Sequence, residues 1–190
     1  MDERVDFSKI IAISNRHLCR RPFLEQVERA LSYHPKAFLL REKDLSKEEY
    51  LKLAEKVKRL CDHYQVPLIP HFYPEAAQML KIQIVHLPLW KFQEVSGTWK
   101  GRVGVSIHST EDVKLAQELG AAYLTAGHIF ATDCKKGLAP RGLSFLREIC
   151  EKGSVPVYGI GGIRLDPLQI KTVLDQGASG VCIMSEMMKI

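Results

Sequence analysis

The residues best suited to chemistry stand where apolar runs end. Tyr158-Gly159-Ile160-Gly161-Gly162-Ile163 carries two adjacent glycines at such an end. Without side chains, they let backbone N–H groups come close to an anion. The plainer role for the pair is a tight turn. Met184-Ser185, closing a later run, can complete the same cradle. His128 lies between the run Ala122-Tyr123-Leu124-Thr125-Ala126 and a long polar stretch, residues 129–141. An imidazole with an ordinary pKa near about 6.5 gives and takes a proton at neutral pH. When positioned as an acid or base it supplies about 10²–10⁴ in rate. A hydrogen-bonded wall residue is the competing role, and most of the seven histidines will fill it. Proton transfer requires the His128 ring to face an anion site.

Other run ends carry Arg41 and Lys43, His71, Ser106 and His108. His108 can orient His128 or touch a ligand. His86, inside a run, reads as packing or a supporting hydrogen bond, whereas His17, His34 and His63 read as solvated. Cys134 stands beside Lys135 and Lys136. It is either a plain loop cysteine or a thiol whose pKa the lysines depress.

Eight short apolar runs alternate with amphipathic segments. The runs begin at Lys9, Ala37, Val66, Ile82, Val103, Ala122, Val155 and Gly180. Between them, Phe23, Leu24, Val27, Ala30 and Leu31 recur at helical spacing, as do Tyr50, Leu53, Ala54, Val57, Leu60 and Cys61 behind a Ser46/Glu49 capping box. Pro74 suits a first helical turn. Ser109 is placed to cap a helix that stops at Gly120, and Asp166-Pro167 opens one that stops by Gly177. Trp90 to Lys100 shows no period and leaves the fourth helix undefined. Runs that are apolar on both faces imply a parallel sheet buried on both sides. Eightfold β/α alternation implies a (β/α)8 TIM barrel, an α/β fold, spanning 1–190 as a single domain. That alternation also argues against a dinucleotide-binding layered sheet for the glycine pair.

The 190 residues spread over eight units give about 24 each, and the total falls below the fold's usual ~200. The shortfall is at the end: Met187-Met188-Lys189-Ile190 closes the chain where helix eight belongs, so that helix is expected to be truncated or absent. An uncovered flank between strands eight and one would expose apolar surface, so a partner subunit is expected there, most simply as a homodimer. The composition, 46% hydrophobic and 26% charged, is that of a globular protein and excludes disordered or fibrous classes. No apolar run approaches the roughly 20 residues of a membrane span, and the acidic start Met1-Asp2-Glu3 is unlike a secretory signal. Five scattered cysteines without a CxxC pair disfavour disulfides and zinc and suit a cytoplasmic protein. The net charge of +5 is too dispersed for nucleic acid but compatible with a small anionic substrate.

Gly127-His128-Ile129-Phe130-Ala131-Thr132-Asp133-Cys134-Lys135-Lys136-Gly137 resembles the signature of the TenI-type thiazole tautomerases, close relatives of thiamine phosphate synthase. The similarity extends over most of the chain, through Phe38 to Lys43, Gly104-Val105-Ser106, Val157 to Gly162, Gly177 to Val181 and Met184-Ser185. The resemblance implies an anion clamp of Arg41, Lys43, Ser106, Thr132 and Lys135, with phosphate held by Gly161, Gly162, Met184 and Ser185. It also implies that His128, where the synthase has proline, transfers protons. The synthase's magnesium-holding acidic positions correspond here to Pro70-His71 and Lys91, and Leu39 replaces its glutamine. A hard divalent cation needs oxygen ligands. No metal or cofactor is therefore expected. The implied activity is aromatisation of a carboxythiazole phosphate, a small phosphorylated heterocycle of thiamine biosynthesis. The alternatives are a magnesium-dependent thiamine phosphate synthase and a non-catalytic phosphate-binding barrel.

Overall fold

A computed structural model describes residues 4–132 and 137–190. Eight parallel strands alternate with seven helices. They are β1 (Ile10–Ile13), α1 (Phe23–Leu31), β2 (Ala37–Leu40), α2 (Lys47–Tyr64), β3 (Leu68–Pro70), α3 (Pro74–Met79), β4 (Ile84–Pro88) and α4 (Leu89–Val95). The second half comprises β5 (Arg102–Ile107), α5 (Thr110–Glu118), β6 (Tyr123–Gly127), α6 (Gly142–Lys152), β7 (Val157–Ile160), α7 (Pro167–Leu174) and β8 (Gly180–Ile183). Hydrogen bonds run through the order β3-β2-β1-β8-β7-β6-β5-β4. A single parallel bridge, His71 to His86, joins the two ends. The result is a nearly closed (β/α)8 barrel, as the alternation predicts.

The twofold alternation of side chains along each strand builds two apolar layers. Outward residues such as Ile10, Phe38, Leu40, Val85, Val105 and Leu124 pack under the helices. Inward residues, including Ile11, Ile13, Leu39, Ile69, Tyr123, Tyr158 and Cys182, fill the barrel's lower part. Gly104 makes room for this filling: a Cβ there would fall 2.0 Å from the Tyr123 ring. Polar residues take over toward the strands' C-terminal ends, where the barrel opens.

Both anticipated caps form. Ser46 and Glu49 make the capping box of α2, and Ser109 with Asp112 makes that of α5. The segment without a clear period contains α4. Its seven residues bury only Phe92, too few positions to show a 3.6-residue repeat.

No helix follows β8; the chain ends in turns. The flank is nevertheless partly covered. Met187 and Met188 are fully buried, and Gln26 Nε2 of α1 donates to the Met187 carbonyl at 3.0 Å. Met188 also approaches Cys19, with 3.9 Å between the sulfurs. The chain's own end thus covers part of the flank on which a partner subunit is expected. Among the described residues, no helix is long and apolar enough to cross a membrane.

Candidate functional site

A cavity of about 1000 Å³ opens at the C-terminal ends of the strands. It gathers nearly all the residues that the strand-end rule selects. Arg41 and Lys43 after β2, Ser106 and His108 of β5 and its loop, and His128 and Thr132 after β6 all line it. Gly161 and Gly162 after β7, with Met184 and Ser185 after β8, form the adjoining wall. Lys135 and Cys134 lie outside the described residues.

The glycine pair has a conformational reason. Gly161 and Gly162 have φ of +100° and +69°, a region that side chains disfavour. A Cβ on Gly162 would meet the Ala131 carbonyl at 2.4 Å, and one on Gly161 would meet His128 Cβ at 2.4 Å. Ile129 N–H donates to the Ile160 carbonyl and Phe130 N–H to that of Gly161, both at 2.9 Å. Gln169 Nε2 donates to the Gly162 carbonyl at 3.2 Å. The carbonyls that would repel an anion are thereby engaged.

His128 departs from the open imidazole that its loop position suggests. It touches the cavity but is only 6% exposed. The loop that leaves β6 returns over it: Arg141 N–H donates to the His128 carbonyl at 2.9 Å, and the Leu138 carbonyl lies 3.3 Å from His128 Nε2. A carbonyl only accepts, so Nε2 carries the hydrogen in that bond. Nδ1 is buried and has no hydrogen-bond partner among the described residues. His108, exposed beside it, places Nδ1 3.3 Å from the Gly127 carbonyl.

Behind the β2 loop is a cluster that the sequence reading missed. Glu42 is 3% exposed although it stands between two cations. Its carboxylate accepts from Ser14 Oγ at 2.7 Å, from Arg16 N–H at 3.1 Å and from Arg16 Nη1 at 3.0 Å. Ser14 Oγ in turn accepts from the Arg41 amide at 2.8 Å, which fixes the backbone carrying Arg41. Arg16 also grips Asp44 and, with His17, holds that carboxyl well below its usual range. The only prior sign was the Arg41-Glu42-Lys43-Asp44 charge alternation.

Deeper in the barrel, His86 bridges Tyr123 OH (2.9 Å from Nδ1) and Ser106 Oγ (2.8 Å from Nε2). Burial, and secondarily the Arg41 charge, pushes its pKa down to about 3. His71 stacks on it with ring centroids 6.0 Å apart and is likewise driven well below the ordinary value, chiefly by burial.

The mouth beside β3 and β4 is aromatic. Phe72, Tyr73 and Trp90 line it, the Phe72 and Trp90 rings lying 5.8 Å apart, and Lys91 Nζ sits 5.7 Å from the Phe72 centroid. This is where the resemblance to a synthase would require magnesium ligands. The described residues do not fit that ion. The cavity's two carboxylates are Glu42, already held by Ser14 and Arg16, and Glu186, which accepts from the Leu165 amide. Among the described residues no group of three His, Cys, Asp or Glu side chains could hold a metal. Lys91, beside the Phe72 ring, is itself paired with Glu94 at 2.9 Å, so that carboxylate too is engaged by a protein donor.

Comparison with known proteins agrees with the architecture. The TMP-TENI family, thiamine monophosphate synthase, matches residues 10–187. The chain is 33% identical over 186 residues to the putative thiamine-phosphate synthase 2 of Aquifex aeolicus, covering 95% of this chain and 98% of that protein. It is 36% identical over 186 residues to the thiamine-phosphate synthase of Alkaliphilus oremlandii, covering 95% and 88% respectively. Among solved structures, a thiamine phosphate pyrophosphorylase from Pyrococcus furiosus superposes with a TM-score of 0.81 at 27% identity, covering 95% of this chain and 87% of that one. With a family match over nearly its whole length and relatives above 30% identity, the chain belongs to the thiamine monophosphate synthase family.

Proposed function

We propose that this member of the family is a metal-independent isomerase, similar to the thiazole tautomerases, that aromatises a carboxythiazole phosphate. The observation that carries the reading is His128: it lines the cavity, its Nε2–H is committed to a backbone carbonyl, and among the described residues its Nδ1 has no hydrogen-bond partner. A neutral imidazole in that state is a base with a fixed tautomer. Nδ1, buried in the free protein, is uncovered as the substrate seats and takes a proton from a ring carbon; the exocyclic double bond shifts into the ring, and the proton is returned to the exocyclic carbon. The Leu138 carbonyl stabilises the intervening imidazolium. The glycine loop and Ser185 hold the phosphate, Arg41 and Lys43 offset negative charge, and the Phe72–Trp90 wall accommodates a flat ring.

The relatives' names favour a second reading. Each of the three is named for forming thiamine phosphate or for a pyrophosphorylase activity, which is transferase chemistry, and none is named an isomerase. The cavity wall beside β3 and β4 does not favour that chemistry here, because among the described residues it offers no uncommitted carboxylate. One experiment separates the two readings. The purified chain is given the carboxythiazole phosphate tautomer in D2O, and separately the pyrimidine diphosphate plus thiazole phosphate with and without magnesium. The isomerase reading expects magnesium-independent aromatisation, with the hydrogen taken from the ring carbon appearing at the exocyclic carbon in place of solvent deuterium. It also expects a His128→Asn variant that binds substrate but loses about 10²–10⁴ in rate. Magnesium-dependent synthesis of thiamine phosphate, with no aromatisation, establishes the transferase instead.

A further inference from the structure

Under the cavity floor, polar side chains from β4, β5 and β6 form a hydrogen-bonded chain with a direction. Tyr123 OH and His86 Nδ1 are 2.9 Å apart, His86 Nε2 and Ser106 Oγ are 2.8 Å apart, and Thr125 Oγ1 donates to Ser106 Oγ at 3.3 Å. Tyr123 and His86 are 6% and 3% exposed and do not line the cavity, whereas Ser106 and Thr125 do. Burial keeps His86 neutral, so its ring has one N–H and one lone pair.

Two arrangements of the hydrogens are conceivable. In one, Nδ1–H donates to the tyrosine oxygen and Ser106 donates to Nε2. The phenolic hydrogen is then buried with no acceptor among the described residues, a disfavoured state. In the other, Tyr123 O–H donates to Nδ1 and Nε2–H donates to Ser106 Oγ, so every buried donor is used. Ser106 Oγ then accepts from both His86 and Thr125, and its own hydrogen is left for the cavity. We infer that His86 and Tyr123 are positioning residues that make Ser106 an obligate hydrogen-bond donor, so the cavity selects at this point for a ligand atom with a lone pair. A phosphate or carboxylate oxygen and an unprotonated ring nitrogen satisfy it; an N–H or O–H group does not. The inference rests on the reading of this cavity as the ligand site, but not on which reaction follows.

Binding and spectroscopy test it without turnover, so its failure is distinct from loss of isomerase activity. In ¹⁵N-histidine-labelled protein, His86 should show a protonated Nε2 and an unprotonated Nδ1. Inorganic pyrophosphate, most of whose oxygens are unprotonated acceptors, serves as the calorimetric probe. Ser106→Ala is expected to weaken it about tenfold, the scale of one hydrogen bond to a charged acceptor. Tyr123→Phe, nearly isosteric and remote from the cavity, should weaken it by a similar factor, and the double variant by no more than either alone. His86→Gln, whose amide can accept from Tyr123 and donate to Ser106, should retain most of the affinity that His86→Leu loses. A His86 protonated on Nδ1, wild-type affinity in Tyr123→Phe, or independent effects of Tyr123→Phe and Ser106→Ala would each overturn the proposal.

Discussion

Replacing Gly161 by alanine tests the coupling between the anion loop and the candidate base. The added Cβ would stand 2.4 Å from His128 Cβ and 2.7 Å from its Cα, where ordinary contact begins near 3.4 Å. Relief therefore requires a displacement of about 1 Å. Two costs combine. Holding an L residue at φ +100° costs about 1–2 kcal/mol, and overfilling a packed site about 1–3 kcal/mol. A total of about 2–5 kcal/mol lowers the melting temperature of a chain this size by about 10 °C. Gly120→Ala provides the control. Its φ is +83°, but nothing lies within 4 Å of the added Cβ, so it carries the backbone cost alone. Circular dichroism melts of both variants isolate the steric contribution. Because the displacement falls on His128, turnover in the surviving folded protein should drop about 10²-fold, the scale expected for a 1 Å misplacement. Equal melting temperatures for the two variants, or full turnover in Gly161→Ala, would refute the claim that the glycine buttresses His128.

Two further outcomes follow from the cavity and the barrel interior. Of the two tryptophans, Trp90 is 53% exposed and lines the cavity, whereas Trp99 packs beneath Gly101. A ring-bearing ligand should quench the tryptophan fluorescence of the wild type, and Trp90→Phe should abolish the response; unchanged quenching in that variant argues against an aromatic seat. Second, His86 titrates near 3 and His71 well below its ordinary value when folded, while both take protons near 6.5 once unfolded. The unfolded state therefore binds more protons, and stability is lost as pH falls below about 6.5, by at most about 1.4 kcal/mol per pH unit for each ring. Urea unfolding between pH 7 and pH 5 should show this loss, with a shallower slope in His86→Gln; a flat profile would contradict the burial of these rings.

The barrel was legible because its strands are buried on both faces and read as apolar runs whatever their tertiary neighbours. The strand-end rule then selected Arg41, Ser106, His128 and the glycine pair, all of which the fold brings to one cavity. What escaped depends on contacts distant in sequence. Glu42 is written like a solvated charge, and only Ser14 and Arg16, 28 and 26 residues away, make it a buried anchor. The burial of His128 follows from the return of the loop that brings Leu138 and Arg141 onto it. Tyr123, read simply as a strand residue, acquires its hydrogen-bonding role from a histidine 37 positions earlier. The C-terminal methionines marked the missing helix, which is indeed absent among the described residues, but not the covering of the flank: Met187 and Met188 are themselves buried, and Gln26 of α1 bonds the Met187 carbonyl.

Within one family, the wall beside β3 and β4 can decide which reaction a shared phosphate grip serves. Displacing a diphosphate requires the departing charge to be neutralised, and magnesium on carboxylates is a direct way to do so. Here the same stretch presents Phe72, Trp90 and Lys91, and the nearby carboxylates are taken up by protein donors. A metal-free proton shift makes a smaller electrostatic demand: one base, one acceptor to steady its imidazolium, and an anchor that keeps the reacting carbon in reach. His128, the Leu138 carbonyl and the Gly161–Gly162 turn can meet those requirements. A family name based on diphosphate chemistry and the proposed proton transfer are therefore compatible, because the proposed anion anchor at β7 and β8 would serve either reaction and the opposite wall would distinguish them.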